Sequence, residues 1–454
     1  MHSLLLIAPK ENLNVDKNSM PHLSLGLLAA YTPSNYRIRI LDENFDKINF
    51  DEPVDLIAIT ANSKTILRAY EIAIEFMIKK VTVIIGGIHA SFIPKEAKQF
   101  CSSVVIGEAE SVWPQVLNDF EHGKLKPFYK SELIDISELK SARRDLYPKG
   151  YFFETVQTSR GCPFSCEFCS VTAFNGLRYR YRNIDNVIKE ISEIKNKNIV
   201  IVDDNILGVG AKAEQRTLNL IKRLAPLNKR WATQASINIA ENDKVLKALV
   251  DSGNIALYIG FESLNESFLK NVHKSINLKT KIKGYEDCIR KLHDYGIGIW
   301  GSFMFGHDFE TKESIKETAD FILDNDMDAV NLNALTPLIG TKLYDNMKKE
   351  GRLLQEKWWF CDPVPHVAFK PLKMTPKDLF DSIMDTALRV NSPRRNLSRF
   401  FKSLIRTKNL FSSTVFCVGN FDIRKFHKKL INIGFIDNPK SKEEELRQRL
   451  ILNR

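Results

Sequence analysis

Short apolar runs alternate with segments of helical spacing along the first 121 residues. Runs of β-branched and aliphatic residues predict strands, and apolar residues three and four apart predict the helices between them. Strands that alternate with helices favour a parallel sheet covered on both faces. We therefore predict an α/β, doubly wound domain at residues 1–121, whose ligand-binding loops follow the strands. The predicted strands are Leu4–Ala8, Arg37–Leu41, Leu56–Thr60, Val81–Ile85 and Ser103–Ile106, and the predicted loops are 9–20, 42–46, 61–65, 86–92 and 107–111.

The same alternation resumes after a polar segment. Residues 122–150 are rich in Lys and weakly periodic, which predicts a linker with a short helix. Six further strands separated by helical segments predict a partial (β/α)6 barrel over residues 151–350, with polar residues at the edge where barrel enzymes place their sites. Residues 351–454 are basic, and we expect a mainly helical C-terminal extension there. The predicted strands of the barrel are 155–158, 199–202, 231–237, 256–261, 297–305 and 329–335.

Composition places the chain among ordinary globular proteins. Of its 454 residues, 44% are hydrophobic and 27% are charged, so wholesale disorder is not expected. The length exceeds that of one ordinary core and fits two domains with an extension. The sequence contains no apolar run of about 18 residues, which excludes a membrane-spanning helix. The start, Met1–Pro9, lacks a basic leader, and we expect a first strand there rather than a secretion signal.

The net charge of +11 is concentrated near the end of the chain. Residues 371–454 hold 18 Lys and Arg against 8 Asp and Glu, whereas the first 370 residues hold 48 against 47. The predicted barrel is close to neutral, which argues against a nucleic-acid groove through it, and we expect no nucleic-acid partner. Within the basic tail, residues 394–411 combine apolar residues at helical spacing with Arg and Lys. Such a helix either contacts an anionic membrane surface peripherally or docks on its own protein.

Three of the seven cysteines fall within one short loop. Cys162, Cys166 and Cys169 have the spacing C-x3-C-x2-C, and the other four are isolated. Three thiolates can bind three irons of a [4Fe–4S] cluster and leave the fourth iron open for a small molecule. A structural zinc site, the alternative, normally needs four ligands, and no fourth Cys or His lies at motif spacing. The sequence therefore predicts an iron–sulfur site in a reducing, cytoplasmic compartment.

The cysteine loop resembles the signature of the radical S-adenosylmethionine (SAM) superfamily, which also carries an aromatic residue before the third cysteine, here Phe168. The N-terminal half is similar to the cobalamin-binding domain that precedes the barrel in the branch containing class B methyltransferases and anaerobic Mg-protoporphyrin cyclases. The resemblance covers about residues 1–350. The segments that carry it, besides the cysteines, are 86–90, 105–110, 203–205, 260–263 and 336–344.

This resemblance implies three cofactors, namely a [4Fe–4S] cluster, SAM and cobalamin. SAM would chelate the open iron, and one electron would cleave it to give a 5′-deoxyadenosyl radical. Asp204, Ser236 and Glu262, each after a different strand, would bind the amino group and ribose hydroxyls of the nucleoside. The alternative for each is a loop cap or a hydrogen bond in the core.

Gly86, Gly87 and His89 would contact the cobalamin. The N-terminal domain lacks the Asp-x-His-x-x-Gly motif that supplies a histidine to cobalt in other cobalamin domains. We therefore expect no protein imidazole on the metal. His89 is alternatively a loop histidine that hydrogen-bonds the backbone.

The leading hypothesis is a cobalamin-dependent radical SAM enzyme that methylates an unactivated carbon of a small-molecule or lipid substrate. The alternative enzyme is a radical SAM cyclase or rearrangement catalyst acting on a tetrapyrrole or another natural-product precursor. A third class is a non-catalytic, metal-stabilised module that binds RNA through its basic tail. Sulfur insertion of the methylthiotransferase kind is disfavoured, because the N-terminal domain has only Cys101 where a second cluster needs three cysteines. We expect a reducing electron donor such as a flavodoxin or ferredoxin, and a location in the cytoplasm or at the inner membrane surface.

Overall fold

The computed structural model describes residues 1–11 and 20–452, apart from the side chains of residues 281 and 282. Most of the loop predicted at 9–20 therefore lies outside the described residues. The chain forms two compact units. The first unit contains residues 1–155, 355–365 and 438–454, and the second contains residues 156–354 and 366–437.

The first unit is built on a six-stranded parallel sheet with the order β2-β1-β3-β4-β5-β6. Residues Leu4–Ala8 and Leu56–Ile59 are almost fully buried on both faces, which explains why the central strands have continuous apolar runs. The predicted doubly wound parallel sheet is confirmed. The elements are β1 (His2–Ala8), α1 (Leu23–Ala30), β2 (Tyr36–Asp42), β3 (Leu56–Thr60), α2 (Ile66–Ile78), β4 (Thr82–Gly86), α3 (Ile88–Phe92), α4 (Pro94–Ala97), β5 (Ser103–Ile106), α5 (Trp113–Glu121) and β6 (Phe128–Lys130).

The edge strand β6 lies inside the segment where the sequence indicated only a linker with a short helix. Its three residues pair with β5, and Ser103 Oγ donates to the Lys126 carbonyl oxygen over 2.7 Å. Tyr129 is buried while its two neighbours are exposed. Three residues are too short to show a period of two, so the strand gave no recognisable sequence pattern.

The second unit continues the strand–helix alternation of a partial (β/α)6 barrel, with the sheet order β14-β13-β12-β11-β10-β7. Neighbouring strands from β10 to β14 pair in parallel. The elements are β7 (Glu154–Val156), β8 (Ser159–Arg160), α6 (Ser170–Asn175), β9 (Arg180–Tyr181), α7 (Ile184–Glu193), β10 (Asn198–Ile201), α8 (Ala211–Leu224), β11 (Arg230–Ala235), α9 (Asp243–Asp251), β12 (Asn254–Glu262), α10 (Glu266–Asn271), α11 (Ser275–Asp294), β13 (Gly298–Phe305), α12 (Lys312–Asp324), β14 (Ala329–Ala334) and α13 (Lys342–Lys349).

Four helices follow the barrel elements. They are α14 (Pro376–Val390), α15 (Pro393–Thr407), α16 (Leu410–Ile433) and α17 (Glu443–Leu452). The first three belong to the second unit and α17 to the first. Within residues 1–11 and 20–452, no helix combines the length and hydropathy that crossing a bilayer requires.

A buried carboxylate organises the polar core of the first unit. Glu96 Oε1 accepts hydrogen bonds from Trp359 Nε1 at 2.9 Å and from the Tyr70 hydroxyl at 3.2 Å. Lys357 Nζ lies 3.2 Å from Glu96 Oε2 and supplies the opposite charge. The segment 355–365 is thereby fixed inside this unit, since a buried carboxylate that loses its donors is costly.

We expect Trp359→Phe to lower the free energy of unfolding by about 1–3 kcal/mol, because Glu96 loses a charge-assisted donor. Trp113→Phe is the matched control. Both indoles are 1% exposed, but Trp113 Nε1 donates to the neutral Thr32 hydroxyl over 2.8 Å, so its loss should be smaller. Urea denaturation followed by circular dichroism measures both losses. Equal losses of unfolding free energy in the two variants would contradict a stronger contribution from the hydrogen bond to Glu96.

Candidate cluster and nucleoside site

The cysteine loop is fixed at its base by a two-stranded antiparallel ribbon. Ser159 pairs with Tyr181 and Arg160 with Arg180, and the loop leaves this ribbon immediately afterwards. It ends at Cys169, the residue before α6, whose amide donates to the Cys166 carbonyl oxygen over 3.1 Å. Cys166 is buried, whereas Cys162 and Cys169 are half-buried. Three thiols are thus held on one short, anchored loop.

Gly161 allows the ribbon to close tightly beneath the loop. Its φ is +89°, and a Cβ built on it would overlap the carbonyl oxygen of Arg178. Its amide donates to Asp204 Oδ2 over 2.9 Å. Only glycine combines this left-handed backbone with so close an approach.

Asp203, at the end of β10, is the second anchor of the loop. It is completely buried and accepts hydrogen bonds from the Thr158 amide at 2.6 Å, the Thr158 hydroxyl at 2.5 Å and the Ser159 hydroxyl at 2.7 Å. Burial raises the pKa of Asp203 above its usual value, while these hydrogen bonds act in the opposite direction. Sequence reasoning singled out the neighbouring Asp204 and missed this anchoring role.

The three residues predicted to bind the nucleoside lie at the ends of three neighbouring strands, and each already has a polar partner. Asp204 follows β10, Ser236 follows β11, and Glu262 is the last residue of β12. Asp204 accepts from Gly161, as described, and burial raises its pKa. Ser236 Oγ accepts from Asn205 Nδ2 over 3.0 Å. Glu262 Oε1 lies 2.7 Å from Lys274 Nζ. The structure places these groups at the carboxyl edge of the parallel strands, and their role toward a nucleoside stays a prediction.

The ion pair between Glu262 and Lys274 is the main charged feature beside the thiols. Both side chains are largely buried, and Lys274 Nζ lies 5.9 Å from the centre of the Phe168 ring. Glu262 has a φ of +66°, and the β12–β13 register shifts beside it. Burial raises the pKa of Cys166 to about 11, and the Lys274 ammonium opposes that shift. No local pattern pointed to Lys274.

The donor set of this loop fits an iron–sulfur cluster. Thiolates are the ligands that such clusters use, and iron would replace the protons that burial holds on Cys162 and Cys166, whose pKa values it raises. The nearby Lys274 ammonium would offset the negative charge of the thiolates. Within the described ranges, no three His, Cys, Asp or Glu side chains are grouped closely enough for a single ion. An iron–sulfur cluster does not need its ligands to converge on one ion, because each thiolate binds a different iron.

In the first unit, the predicted cobalamin-contacting residues lie where β4 ends. Gly86 is the last residue of β4, and Gly87 has a φ of +97° with the Ala61 carbonyl oxygen 2.6 Å from the position of a Cβ. The His89 imidazole is fully buried, and its Nδ1 lies 2.9 Å from Ser63 Oγ. Burial lowers the pKa of His89. Its imidazole therefore contacts a side chain inside the unit, and a role of this loop toward cobalamin stays a prediction.

A cavity of 560 Å³ in the second unit borders the cysteine loop at Glu167. His307, after β13, lines it, stacks on Phe268 and contacts Ser263 Oγ and Glu310 Oε2, each at 3.1 Å. Burial lowers the pKa of His307 to about 4 and raises that of Glu310 to about 7. These residues were also missed, although their position after a barrel strand was a signal that could have found them.

Comparison with known proteins adds the following findings. The family model "Radical SAM superfamily" matches residues 156–322. A bacteriochlorophyllide d C-8(2)-methyltransferase from Chlorobaculum tepidum is 30% identical over 426 residues, covering 88% of this chain and 92% of that protein. An anaerobic magnesium-protoporphyrin IX monomethyl ester cyclase from Cereibacter sphaeroides is 25% identical over 373 residues, covering 74% of this chain and 59% of that protein.

The fold is also similar to that of a solved structure. The cobalamin-dependent S-adenosylmethionine radical enzyme OxsB, solved with aqua-cobalamin bound, gives a TM-score of 0.66 at 14% identity. The match covers 100% of this chain and 84% of that chain. At this identity the likeness concerns the fold alone.

We expect Gly161→Ala to abolish most iron incorporation, because the added methyl group overlaps the Arg178 carbonyl and opens the ribbon. Gly176→Ala is the matched control, since Gly176 also has a positive φ, +62°, but nothing lies within 4 Å of its Cβ position. Iron and sulfide per chain after anaerobic reconstitution are the measurement. Equal iron content in both variants would refute the importance of the close approach.

Lys274→Met should destabilise the apoprotein by about 3–5 kcal/mol, because it leaves the buried Glu262 carboxylate without its counter-charge. Adding Glu262→Gln to it should recover part of that loss. Lys342→Met is the control, because this lysine is 75% exposed and lies 3.8 Å from Glu167. Denaturant unfolding of the metal-free chains gives the double-mutant cycle, and strict additivity would contradict a coupled pair.

Proposed function

Because the chain belongs to the radical SAM superfamily, we propose that it is a cobalamin-dependent radical SAM enzyme that methylates an unactivated carbon of a small-molecule or lipid substrate. The observation that carries this proposal is the C-x3-C-x2-C loop anchored on a ribbon beside a parallel sheet. Its relative of 30% identity over most of both chains is named as a C-methyltransferase. The chain is therefore an enzyme, and the non-catalytic RNA-binding module considered as an alternative is the wrong class.

Cys162, Cys166 and Cys169 would hold a [4Fe–4S] cluster whose open iron takes SAM. When bound, the cluster and SAM supply a carbon radical, and cobalamin supplies the methyl group. Gly86, Gly87 and His89 of the first unit are the proposed cobalamin contacts. Gly86 ends β4 and the other two follow it, at the edge where parallel sheets bind ligands.

The chain's own residues orient these groups and exclude water. Asp203 binds Thr158 and Ser159, and Asp204 binds Gly161, so the chain is held in place immediately before the thiols. We propose that Glu262 Oε2 accepts a hydrogen bond from the nucleoside while Oε1 stays with Lys274, and that Asp204 and Ser236 accept from the amino group or ribose hydroxyls. Phe168, packed near Lys274, shields the thiols from water. Hydrogen abstraction from an unactivated carbon depends on such positioning.

A second candidate is cyclisation or rearrangement of a tetrapyrrole or another natural-product precursor. The relative from Cereibacter sphaeroides supports it, since that protein is named as a cyclase of a porphyrin ester. Both candidates use the same cysteine loop. They differ in whether a methyl group enters the product.

The proposal extends to partners and location. We propose a reducing protein donor, such as a flavodoxin or ferredoxin, because the reaction consumes an electron at the cluster. A reducing, cytoplasmic compartment suits three free thiols awaiting iron. The basic segment 394–411 supports peripheral contact with the inner membrane surface.

Replacing Cys162, Cys166 and Cys169 together by Ala should remove cluster iron and SAM cleavage. Cys288→Ala is the control, because it removes a buried thiol outside the loop. Iron content and 5′-deoxyadenosine release under dithionite measure the effect. Unchanged values in the triple variant would overturn the cluster assignment.

The choice between the two reactions needs SAM carrying a labelled methyl group and candidate tetrapyrrole or lipid substrates. Label in the product identifies methyl transfer. An unlabelled cyclised product, formed with release of 5′-deoxyadenosine, identifies the second candidate. Removing cobalamin should abolish labelling and leave SAM cleavage in place.

A further inference from the structure

Helix α15 docks on the second unit through its polar face. Asn396, Arg399 and Ser403 are buried and lie on one side of the helix, three and four residues apart. The Arg399 guanidinium donates to the Val390 carbonyl oxygen and lies 3.2 Å from Asn396 Oδ1. Burial lowers the pKa of Arg399 to about 10. A helix of a globular protein normally buries its apolar stripe instead.

The opposite side of α15 is apolar and exposed. Leu397 is 55% exposed, Phe401 54% and Ile405 75%. These residues are four apart, so they form one stripe, about 12 Å long at the rise of an α-helix. Leu410, 61% exposed, continues the apolar surface just beyond the helix. We call Leu397, Phe401 and Ile405 the outer stripe.

Two ion pairs hold α15 in this orientation. Lys402 Nζ lies 2.7 Å from Asp326, and an Arg406 nitrogen lies 2.8 Å from the fully buried Asp328. Together with Arg399 they tie both flanks of the helix to the second unit. These contacts oppose rotation of α15 about its axis, so the outer stripe stays on the solvent-exposed side of the helix.

The segment that carries the outer stripe is strongly basic. Residues 391–437 contain ten Lys and Arg, two Asp and no Glu. Arg394 and Lys408 are both exposed. Arg394 lies two helical turns before Phe401 on the same side of α15, and Lys408 is the residue at which the helix ends, three residues after Ile405. An apolar strip with a cation at each end matches acyl chains flanked by phosphates.

We propose that the outer face of α15 docks on an anionic phospholipid bilayer. The outer stripe enters the boundary between headgroups and acyl chains, and Arg394 and Lys408 contact lipid phosphates. A second copy fits poorly, because pairing two such faces would bring like charges together. RNA fits poorly because Phe401 is the one ring among the three stripe residues, whereas Leu397 and Ile405 offer none to stack on successive bases. The inference deepens the membrane contact of the proposed function and uses no step of its chemistry.

The test uses the full chain and vesicles of phosphatidylglycerol mixed with phosphatidylcholine, compared with pure phosphatidylcholine. Wild type should cosediment with the anionic vesicles, and added salt should weaken this binding. The double variant Phe401→Glu/Ile405→Glu should bind at least about tenfold more weakly. Leu372→Glu/Val250→Glu is the matched control, since Leu372 and Val250 are 62% and 43% exposed in the same unit. It should bind like wild type.

Three results would overturn the proposal. The first is equal vesicle binding by wild type and the Phe401→Glu/Ile405→Glu variant. The second is a wild-type dimer, seen by light scattering, that dissociates to monomers in this variant. The third is RNA binding by wild type that this variant alone loses. SAM cleavage without vesicles should be the same in wild type and both double variants. A chain that binds vesicles but cleaves no SAM would refute the proposed function and leave the docking surface standing.

Discussion

The site depends on one buried carboxylate and the hydrogen bonds it accepts. Asp203 is removed from water, so its energetic cost is offset only while Thr158 and Ser159 donate to it. Those donors begin the ribbon that carries the cysteine loop. The neighbouring Asp204 accepts a hydrogen bond from the Gly161 amide, just after the strand Ser159–Arg160. The hydrogen bonds to Asp203 and Asp204 therefore tie the cysteine loop to the residues that follow β10.

Features encoded by neighbouring residues could be predicted from the sequence. The buried strands, their parallel direction and the three-cysteine spacing all rest on local patterns. Features created by distant pairing could not be predicted. Lys274 is twelve residues from Glu262, in the loop just before α11, and the positive φ of Glu262 has no sequence signal. The anchoring role of Asp203 was hidden for the same reason, since its donors lie some 45 residues earlier.

The C-terminal helices show a different limit. The spacing of Leu397, Phe401 and Ile405 predicts a helix correctly, but the usual rule assigns that stripe to the interior. The structure buries Arg399 instead, because backbone carbonyls of the second unit satisfy its guanidinium. A pattern of apolar positions identifies a helix face, while the partners available to the opposite face decide which side turns inward.

The residues that hold the cysteine loop also explain why one architecture has relatives named for methylation and for cyclisation. Asp203 and Asp204 bind the loop, and Lys274 binds Glu262. Under the proposed function, these contacts would serve the formation of the radical and not the reaction that the substrate radical then undergoes. That reaction depends on groups that touch the substrate. Separation of the two tasks lets the substrate surface diverge around an unchanged radical source.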